Sequence, residues 1–511
     1  MAYIYIFLVS FFLFIFGSNS ISIFSLDEAK NASCAREMFE RNDIIVPTFN
    51  YELRTDKPPV HYWFMMLAYK IFGVNEFSAR FFSAVFGSLT VLITFLFSQK
   101  FINREVAVML LFILLSSIHF VFQFHMAVPD PYLIFFLTSA FLSFFTFYKT
   151  LRQRYIYIFY VSVGLSILTK GLIGILLPSL IVLTFLLIER NVRFLKDMRL
   201  FLGIPLIFTI SLPWYIAVGV QTDWVWIKEF LFKHNINRFS DPMEGHGGLF
   251  FITFLFVFIG MLPFSIFLPQ VIKFVLKEKH NSLIIYLSLI VLIYTGFFAI
   301  SKTKLPNYTV PVYPPLAILI AMYLYNLDIK RSKIIYNLIF YSLLTLSILV
   351  GLYFAVSNDK NLYIIKDYTL YFLILFFGSL IAIYFYFKKD IRKIILSLSA
   401  SAILMSVFIY GVIMPRIDRE SSVKYLMKYI DTTKPIGYYK RYNPAFSFYI
   451  KKKIEPLNSI EDVKRFTSDG KVYILTRDEY MNEIKDLNLK VLGKKKDLFE
   501  NPISVLLTNK E

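Results

Sequence analysis

The residues with the clearest capacity for chemistry are acids and bases that lie where apolar segments end. Asp27 and Glu28 follow an apolar run from Tyr3 to Leu26, and the polar stretch after them contains Asp56-Lys57-Pro58-Pro59. A carboxylate held at a membrane surface beside a cation is costly to keep there without a use. The pattern therefore indicates an enzyme that works at the edge of a bilayer on a charged, lipid-linked substrate, and not a passive anchor.

The elements that must position these residues follow from composition. The chain has 511 residues, of which 57% are hydrophobic and 17% are charged, a balance that a soluble core with its polar shell cannot accommodate. Apolar runs of roughly 20 residues, long enough to cross a bilayer as helices, recur until Pro415. We predict an α-helical polytopic membrane protein with about 13 transmembrane helices, near residues 4–24, 79–98, 105–122, 131–148, 155–169, 172–188, 200–219, 250–269, 283–300, 309–325, 334–356, 369–387 and 394–414.

The distribution of Lys and Arg among the short loops predicts the orientation of these spans. If the N-terminus is cytoplasmic, the loops on that side hold most of the basic residues, for example Arg190, Arg193, Lys196 and Arg199. An odd number of spans then places the tail outside. The net charge of +19 is thus mainly a topology signal and gives no reason to expect a nucleic-acid partner. We expect an integral protein of the inner (cytoplasmic) membrane whose active site and C-terminal domain face the periplasm or exterior.

Two domains of different character are expected. Residues 1–414 form a transmembrane domain with an interfacial first external loop, 26–78, and a later external loop, 220–248. Residues 415–511 form a small soluble extracytoplasmic α/β domain, because strand-like and helical patterns alternate there. Its predicted helices are 421–429, 460–466 and 478–487, and its predicted strands are 436–439, 446–450, 471–475 and 503–507.

An ordered series of motifs lies on the predicted outer side of the membrane. The motifs are Leu26-Asp27-Glu28-Ala29-Lys30, Val46-Pro47-Thr48-Phe49-Asn50, Asp56-Lys57-Pro58-Pro59, Asp130, Leu168-Thr169-Lys170-Gly171, Pro213-Trp214-Tyr215, Asn235-Ile236-Asn237-Arg238-Phe239, Gly245-His246-Gly247-Gly248 and Ser301-Lys302-Thr303-Lys304-Leu305-Pro306-Asn307-Tyr308. As a set they resemble the polyprenyl-phosphate-sugar glycosyltransferases of the type C superfamily. The resemblance covers nearly the whole chain and is closest to bacterial lipid A aminoarabinose transferases (ArnT-like), a branch of the protein O-mannosyltransferase superfamily.

The resemblance implies a glycosyltransferase whose donor sugar hangs from undecaprenyl phosphate or another polyprenyl phosphate in the outer leaflet. Displacement of that phosphate from the anomeric carbon leaves negative charge on its oxygens, which a positioned Lys or Arg stabilises. Lys57 is the first candidate for this role and Arg238 the second, and Lys30 lies near the phosphate and sugar by the same resemblance. The acceptor is lipid A, another envelope glycan or a protein.

The candidate catalytic groups are the carboxylates Asp27, Glu28 and Asp130. A hydroxyl acceptor needs a nearby carboxylate to take its proton, and Asp27 fits that place. An acceptor phosphate is already ionised and needs no strong base, so Asp27 and Asp130 would then stabilise oxocarbenium-like charge on the sugar or bind an amino group on it. The residues alone leave both mechanisms open.

Other site residues follow from the resemblance alone. Those expected near the sugar or acceptor are Tyr308, Lys304, Asn235 and His246. In the family a divalent cation has been linked to positions that fall here on Asp56 and, loosely, His234. One carboxylate and one imidazole make an incomplete zinc shell, so no cofactor is assigned and a divalent metal is left open.

Simpler roles compete with several of these assignments. Asp27 could cap the helix that follows it, Asp130 between two prolines is an ordinary turn residue, and Lys57 could snorkel to lipid headgroups. Lys30, Asn31 and Thr55 depart from the aminoarabinose transferase pattern, which leaves hexose, galacturonate and aminopentose donors open. A secondary transporter, the alternative of another class, would carry charged residues near mid-span, whereas most spans here are clean.

Overall fold

The structure is a computed structural model that describes residues 1–233, 247–359, 362–468 and 470–510. Within these residues the helices are α1 Ala2–Ile15, α2 Leu26–Glu40, α3 Val60–Phe72, α4 Glu76–Phe101, α5 Arg104–Ser116, α6 Ile118–Phe124, α7 Asp130–Thr150, α8 Gln153–Lys170, α9 Ile173–Ile188, α10 Leu200–Gln221, α11 Val225–Leu231, α12 Ile252–Gly260, α13 Leu268–Lys277, α14 Ser282–Ile300, α15 Tyr313–Tyr325, α16 Ile335–Asn358, α17 Leu373–Phe387, α18 Ile391–Phe408, α19 Met414–Asp418, α20 Ser422–Leu426, α21 Ala445–Ile450 and α22 Ile460–Phe466. The strands are β1 Thr48–Phe49, β2 Glu52–Leu53, β3 Ile436–Tyr439, β4 Glu455–Leu457, β5 Tyr473–Arg477, β6 Lys490–Lys496 and β7 Ile503–Thr508.

The long apolar helices match the predicted spans. In the described chain, nine helices are long and apolar enough to cross a bilayer, and two bent helix pairs raise the number to 11. The remaining two predicted spans correspond to α8, which has 18 residues, and α9, a shorter apolar helix of 16 residues. The polytopic helical fold expected from hydropathy is thus confirmed, with two of its spans broken by bends.

The two bends contact each other inside the bundle. The axes of α5 and α6 differ by 71°, and those of α12 and the segment Phe264–Lys277 differ by 118°. The Ser117 hydroxyl, at the first break, donates a hydrogen bond of 2.6 Å to the Gly260 carbonyl at the second. A helix end inside a membrane must satisfy its free carbonyls internally, and the hydroxyl at the first break satisfies the Gly260 carbonyl at the second.

The first loop folds around a buried carboxylate. Strands β1 and β2 form a short antiparallel hairpin between α2 and α3. Glu37 accepts hydrogen bonds from the backbone N–H groups of Asn50 and Tyr51, both 2.9 Å, and from the Thr48 hydroxyl at 2.7 Å. Burial raises the pKa of Glu37. The turn residues Asn50 and Tyr51 both have positive φ, so the carboxylate holds a backbone conformation that is unfavourable by itself.

The C-terminal residues form a five-stranded mixed sheet with strand order β4-β3-β5-β7-β6. Strands β4, β3 and β5 are parallel, and β7 is antiparallel to both β5 and β6. The predicted strand over 436–439 and the predicted helix over 460–466 agree with the structure. The α/β character expected for the tail is confirmed.

The prediction of a strand over 446–450 is wrong, because this segment is the helix α21. The Asn443 side chain accepts from the Ala445 N–H at 3.0 Å and supports the first turn. Phe446, Phe448 and Ile450 alternate with Ser447 and Tyr449, a period-2 pattern that favours a strand, whereas in the structure these residues form one buried helical turn and a half. Strand β6 was missed because its sequence, Lys-Val-Leu-Gly-Lys-Lys-Lys, lacks regular apolar alternation.

The tail packs directly on the first loop. One apolar core contains Ala29, Ala32 and Ala35 of α2 together with Phe446 and Phe448 of α21. Polar contacts reinforce it, because the Asn50 side chain donates to the Ile454 carbonyl at 2.8 Å and accepts from the Ile454 N–H at 2.9 Å. The C-terminal sheet therefore holds the hairpin and α2 in place above the bundle.

Candidate active site

The acidic pair that opens α2 is divided between two environments. Asp27 lies in the first turn of α2 and is exposed, whereas Glu28 is fully buried. Both oxygens of Glu28 accept from Arg80, from Nε and Nη2, at 2.8 Å, and Oε1 also accepts from the Ala127 N–H at 3.0 Å. A carboxylate with every oxygen occupied has little capacity to react. The geometry favours a structural role for Glu28 over the catalytic role expected from sequence.

Arg80 joins this pair to the start of the chain. Its Nη1 donates to the carbonyls of Ser18 and Ile21, and its Nη2 donates to that of Ser22 at 3.0 Å. Ser22 in turn donates through its N–H and its hydroxyl to Asp418, at the end of the last span. This network fixes the position of the α2 N-terminus, and therefore the position of Asp27 at the end of the bundle.

Asp130 lies in a compact cluster with two residues distant in sequence. Its Oδ1 accepts from the Lys170 Nζ at 2.6 Å. The same Lys170 Nζ lies 4.9 Å from the centre of the Tyr308 ring, which stacks obliquely on Phe298 at 4.7 Å. All three side chains are mostly withdrawn from solvent. The cluster therefore combines a carboxylate, an ammonium and an aromatic face, groups that suit recognition of a phosphorylated sugar.

Local helix geometry explains why these residues meet. Asp130 begins α7 after Pro129 and before Pro131, and Lys170 ends α8, which runs antiparallel to α7. Gly171 has φ +77° and terminates α8 directly after Lys170. An acid at a helix N-terminus and a base at a helix C-terminus are each favoured by the helix dipoles. The ordered loop motifs thus place opposite charges at one end of the bundle.

The stretch after the hairpin brings a second set of charges to the same region. Asp56 and Lys57 are half-buried and precede Pro58 and Pro59, which start α3. Behind them, the Thr55 hydroxyl donates to Glu229 at 2.7 Å and the Trp226 indole N–H donates to the Arg54 carbonyl at 2.9 Å. The α11 helix therefore supports the acid-lysine pair from behind.

His61, in α3, marks where the two sets of charges meet. It is fully buried, and its Nε2 lies 3.3 Å from the Asn31 side-chain oxygen. Burial lowers the pKa of His61 well below its ordinary value, and the charges of Arg54, Lys57 and Lys170 lower it further. These three cations are thus close enough to act on one imidazole. Charges from the hairpin side and from the Asp130 side are therefore both within electrostatic range of His61.

Two expected binding lysines have other partners. Lys304 is buried, and its Nζ donates to the carbonyls of Ala299, at 3.0 Å, and Ser301, so it caps the end of α14. Lys30 is half-buried, and its charge lowers the pKa of Glu500, which burial and Asp497 raise overall. The geometry favours a helix-capping role for Lys304 and a position for Lys30 facing the C-terminal tail.

Four expected site residues, His234, Asn235, Arg238 and His246, lie outside the residues that the structure describes. Asp56, the other residue linked to a metal, accepts from the Arg54 Nε at 3.3 Å. Across the described ranges, there is no group of three or more His, Cys, Asp and Glu side chains suited to hold a metal ion. The described donors do not complete a zinc shell, and no step is derived through a metal.

Two basic residues of the site were not singled out from sequence. Lys170 belongs to a motif that the resemblance already contained, and its pairing with Asp130 could have been inferred from opposite charges at neighbouring helix ends. Arg54 lies two residues before Asp56, but its burial, with 5% of its surface exposed, depends on the packing of α2, α3 and α11. Its sequence context carries no signal for that burial.

The chain has relatives among known protein sequences. Residues 56–216 match the family model described as dolichyl-phosphate-mannose-protein mannosyltransferase. An uncharacterized protein of Aquifex aeolicus (strain VF5) is 32% identical over 328 residues, which cover 64% of this chain and 74% of that protein. The undecaprenyl phosphate-alpha-4-amino-4-deoxy-L-arabinose arabinosyl transferase of Enterobacter sp. (strain 638) is 30% identical over 304 residues, covering 58% of this chain and 54% of that enzyme.

A solved structure shares the whole fold. The crystal structure of ArnT from Cupriavidus metallidurans bound to undecaprenyl phosphate superposes with a TM-score of 0.86 at 19% sequence identity, covering 100% of this chain and 97% of that one. The likeness includes the membrane bundle and the C-terminal sheet. At this level of identity it concerns the fold.

Proposed function

Because the chain belongs to the ArnT-like branch of the type C glycosyltransferases, we propose that it transfers a sugar from undecaprenyl phosphate or another polyprenyl phosphate to lipid A or another envelope acceptor. The reaction takes place on the outer face of the membrane, at the end of the bundle that carries Asp27, Lys57 and Asp130. The excess of Lys and Arg in the opposite loops supports this orientation.

The observation that carries the proposal is the cluster of Asp130, Lys170 and Tyr308. Lys170 is held by Asp130 at 2.6 Å and lies over the Tyr308 ring at 4.9 Å. Lys57, half-buried just before α3, is the second cation of the proposed site. A phosphate-linked sugar needs cations for its phosphate and an aromatic or carboxylate surface for its ring, and this region offers both.

The transfer is a substitution at the anomeric carbon. The bond from that carbon to the phosphate oxygen breaks, and its electron pair stays with the phosphate, where Lys57 and Lys170 stabilise the charge. The acceptor oxygen bonds to the opposite face of the sugar. A hydroxyl acceptor passes its proton to Asp27, whereas a phosphate acceptor carries no proton that must be removed.

The carrier is proposed from relatedness and from the membrane setting. One similar structure is a complex with undecaprenyl phosphate, and a related enzyme is described as an undecaprenyl phosphate aminoarabinose transferase. A lipid carrier suits a site at the end of a helical bundle, because its chain can remain among apolar surfaces while its phosphate reaches the cations. Protein O-glycosylation is the second candidate, favoured by the mannosyltransferase model that matches residues 56–216.

Mass spectrometry of envelope lipids, glycans and proteins from cells with and without the gene tests this proposal. We expect one acceptor class to lose a fixed sugar mass when the gene is removed and to regain it when the wild-type gene is restored. Restoration with the site variant Asp130→Asn should leave the sugar mass absent from that acceptor. An envelope that is unchanged in all three fractions would contradict the proposed function, and loss confined to proteins would select the second candidate.

A further inference from the structure

Arg54 is a buried cation whose guanidinium is incompletely bonded. Its main chain is fixed, because its N–H donates to the Pro47 carbonyl at 2.9 Å and its carbonyl accepts from the Trp226 indole at 2.9 Å. The side chain is 5% exposed. Its Nε donates to Asp56 at 3.3 Å, but Nη1 and Nη2 are buried and have no hydrogen-bond partner. Burying such donors unbonded is unfavourable, which points to a ligand.

The surroundings keep Arg54 charged. Burial by itself would lower the pKa of Arg54, but its neighbours, among them the carboxylates Asp56 and Asp27, raise it above its ordinary value. Its Nε contacts Asp56, which immediately precedes Lys57, so the Arg54 side chain lies beside the proposed phosphate-binding residue. The two free nitrogens of a guanidinium form a planar fork that fits the two oxygens of a carboxylate.

The neighbouring cations have a different geometry. Lys57 and Lys170 are ammonium groups, which bind phosphate as point charges and have no bidentate preference. The leaving phosphate can therefore be bound without Arg54. An amino sugar placed against Arg54 would bring a second positive charge to a buried cation, which is repulsive and would exclude that donor class.

We propose that the Nη1 and Nη2 groups of Arg54, held by Asp56 and buried between α2, α3 and α11, bind the carboxylate of the donor sugar, so that the enzyme selects a uronic acid. This inference rests on the proposed function and names the class of its donor. It assigns Arg54 to specificity, while phosphate departure remains with Lys57 and Lys170.

Two donors that differ only at carbon 6 provide the test, undecaprenyl phosphate-linked galacturonate and undecaprenyl phosphate-linked galactose. Purified wild-type protein in lipid nanodiscs should release undecaprenyl phosphate from the galacturonate donor at least about 100-fold faster, the size expected for two hydrogen bonds to a charged group. Arg54→Gln should lose that preference by a similar factor, because its amide lacks the charge and the paired donors of the guanidinium. Arg54→Lys keeps the charge without the fork and should give an intermediate preference.

Lys70→Gln is the matched control, since it removes an exposed positive charge from α3 in the same loop and should keep the wild-type preference. Thermal unfolding of each protein with and without each donor gives a readout independent of turnover. Stabilisation of the wild type by the galacturonate donor alone, lost in Arg54→Gln, supports the inference even if neither donor is turned over. A lack of turnover with both donors would count against the proposed function and not against the inference. Equal stabilisation by both donors, or equal loss of both in Arg54→Gln, overturns it.

Discussion

At the scale of single residues, neighbouring side chains of the same type have different roles. Asp27 is exposed at the α2 N-terminus, whereas Glu28 beside it is saturated by Arg80 and the Ala127 N–H. The sequence predicted that both acids lie at a membrane edge but did not show which of them faces the solvent. Neighbouring residues of a helix point about 100° apart, and Arg80, the partner of Glu28, lies on a different helix, α4. Asp130 and Tyr308 were found from motif order, and their common partner Lys170 appeared only with the fold.

Asp27→Asn separates the two mechanisms. If the acceptor is a hydroxyl, loss of the base should reduce the rate of transfer by about 100-fold or more and remove the acid limb of the pH-rate profile. With a phosphate acceptor the pH profile should be unchanged and the loss smaller. Initial rates from about pH 3 to 9 in nanodiscs, a range that includes the ordinary pKa of an aspartate, make the distinction, with Glu52→Gln on the hairpin as the control for loss of an exposed acid. Wild-type rates with both acceptor types would contradict any catalytic role for Asp27.

His61 should make the folded protein sensitive to acid. Its pKa is lowered well below the ordinary value in the folded state, so the unfolded chain binds a proton first as the pH falls through about 6.5. Folding stability is therefore complete above that pH and declines below it, by about 1.4 kcal/mol for each pH unit.

The measurement for His61 is thermal unfolding in detergent between pH 7.5 and 5.0. We expect the wild type to lose more stability on acidification than His61→Asn does. The control, His280→Asn, changes an exposed histidine between α13 and α14 and should retain the wild-type decline. Parallel curves for the wild type and His61→Asn would show that His61 does not titrate between the folded and unfolded states.

At the scale of elements, hydropathy is sufficient for the spans but not for the tail. Every predicted span falls on a helix or a bent pair, because an apolar run in a membrane has few alternatives to a helix. The helix Ala445–Ile450 was mistaken for a strand, because Phe446, Phe448 and Ile450 alternate with Ser447 and Tyr449 in sequence, while packing on α2 favours the helix. The strand Lys490–Lys496 is an edge strand rich in lysine. Lysines on an edge strand prevent its pairing with another chain, but they also remove the apolar alternation by which a strand is predicted from sequence.

The Glu28 to Arg80 contact should hold α2 against α4. Glu28→Gln leaves a buried guanidinium without its counter-charge, which costs about 3–5 kcal/mol. We expect a clearly lower melting temperature in detergent and a reduced yield, with residual activity in proportion to the folded fraction. Glu76→Gln at the start of α4 removes a carboxylate that accepts from the Tyr449 hydroxyl and should cost less. Normal stability with complete loss of transfer would instead assign Glu28 to catalysis.

At the scale of the whole molecule, the account requires the site and the C-terminal sheet to lie on the same side of the membrane. The sheet packs on α2 and the hairpin, so labelling of the tail reports on the site. The single cysteine, Cys34, is buried, so introduced cysteines can be labelled with little background from the native thiol.

Cysteine labelling in intact cells tests this orientation. A membrane-impermeant maleimide should label Lys464→Cys on the exposed surface of α22 without permeabilisation. Arg331→Cys, in the loop between α15 and α16 where the side chain is 90% exposed, should react only after the cells are opened. The reverse pattern would place the site in the cytoplasm and would exclude a donor in the outer leaflet.

The fold could be derived from sequence because it depends on where apolar runs end, and the position of the candidate site was predicted from the charges at those ends. The proposed chemical class of the donor sugar could not be derived from sequence, because it depends on how α2, α3 and α11 bury Arg54. Asp130, Lys170 and Tyr308 belong to three separate segments of the chain. The contacts of Lys170 with Asp130 and Tyr308 are therefore the part of the structure on which the proposed mechanism depends most.

The most direct measurement is release of undecaprenyl phosphate from an undecaprenyl phosphate-linked sugar by purified wild-type protein and by Asp130→Asn in nanodiscs. The donor tested should include both the galacturonate and the galactose forms, together with an envelope lipid extract as acceptor. We predict release with sugar transfer by the wild type and at least about a 100-fold lower rate for Asp130→Asn, expressed per folded protein because loss of the buried pair with Lys170 also lowers the melting temperature. Equal rates for a correctly folded Asp130→Asn would contradict the account.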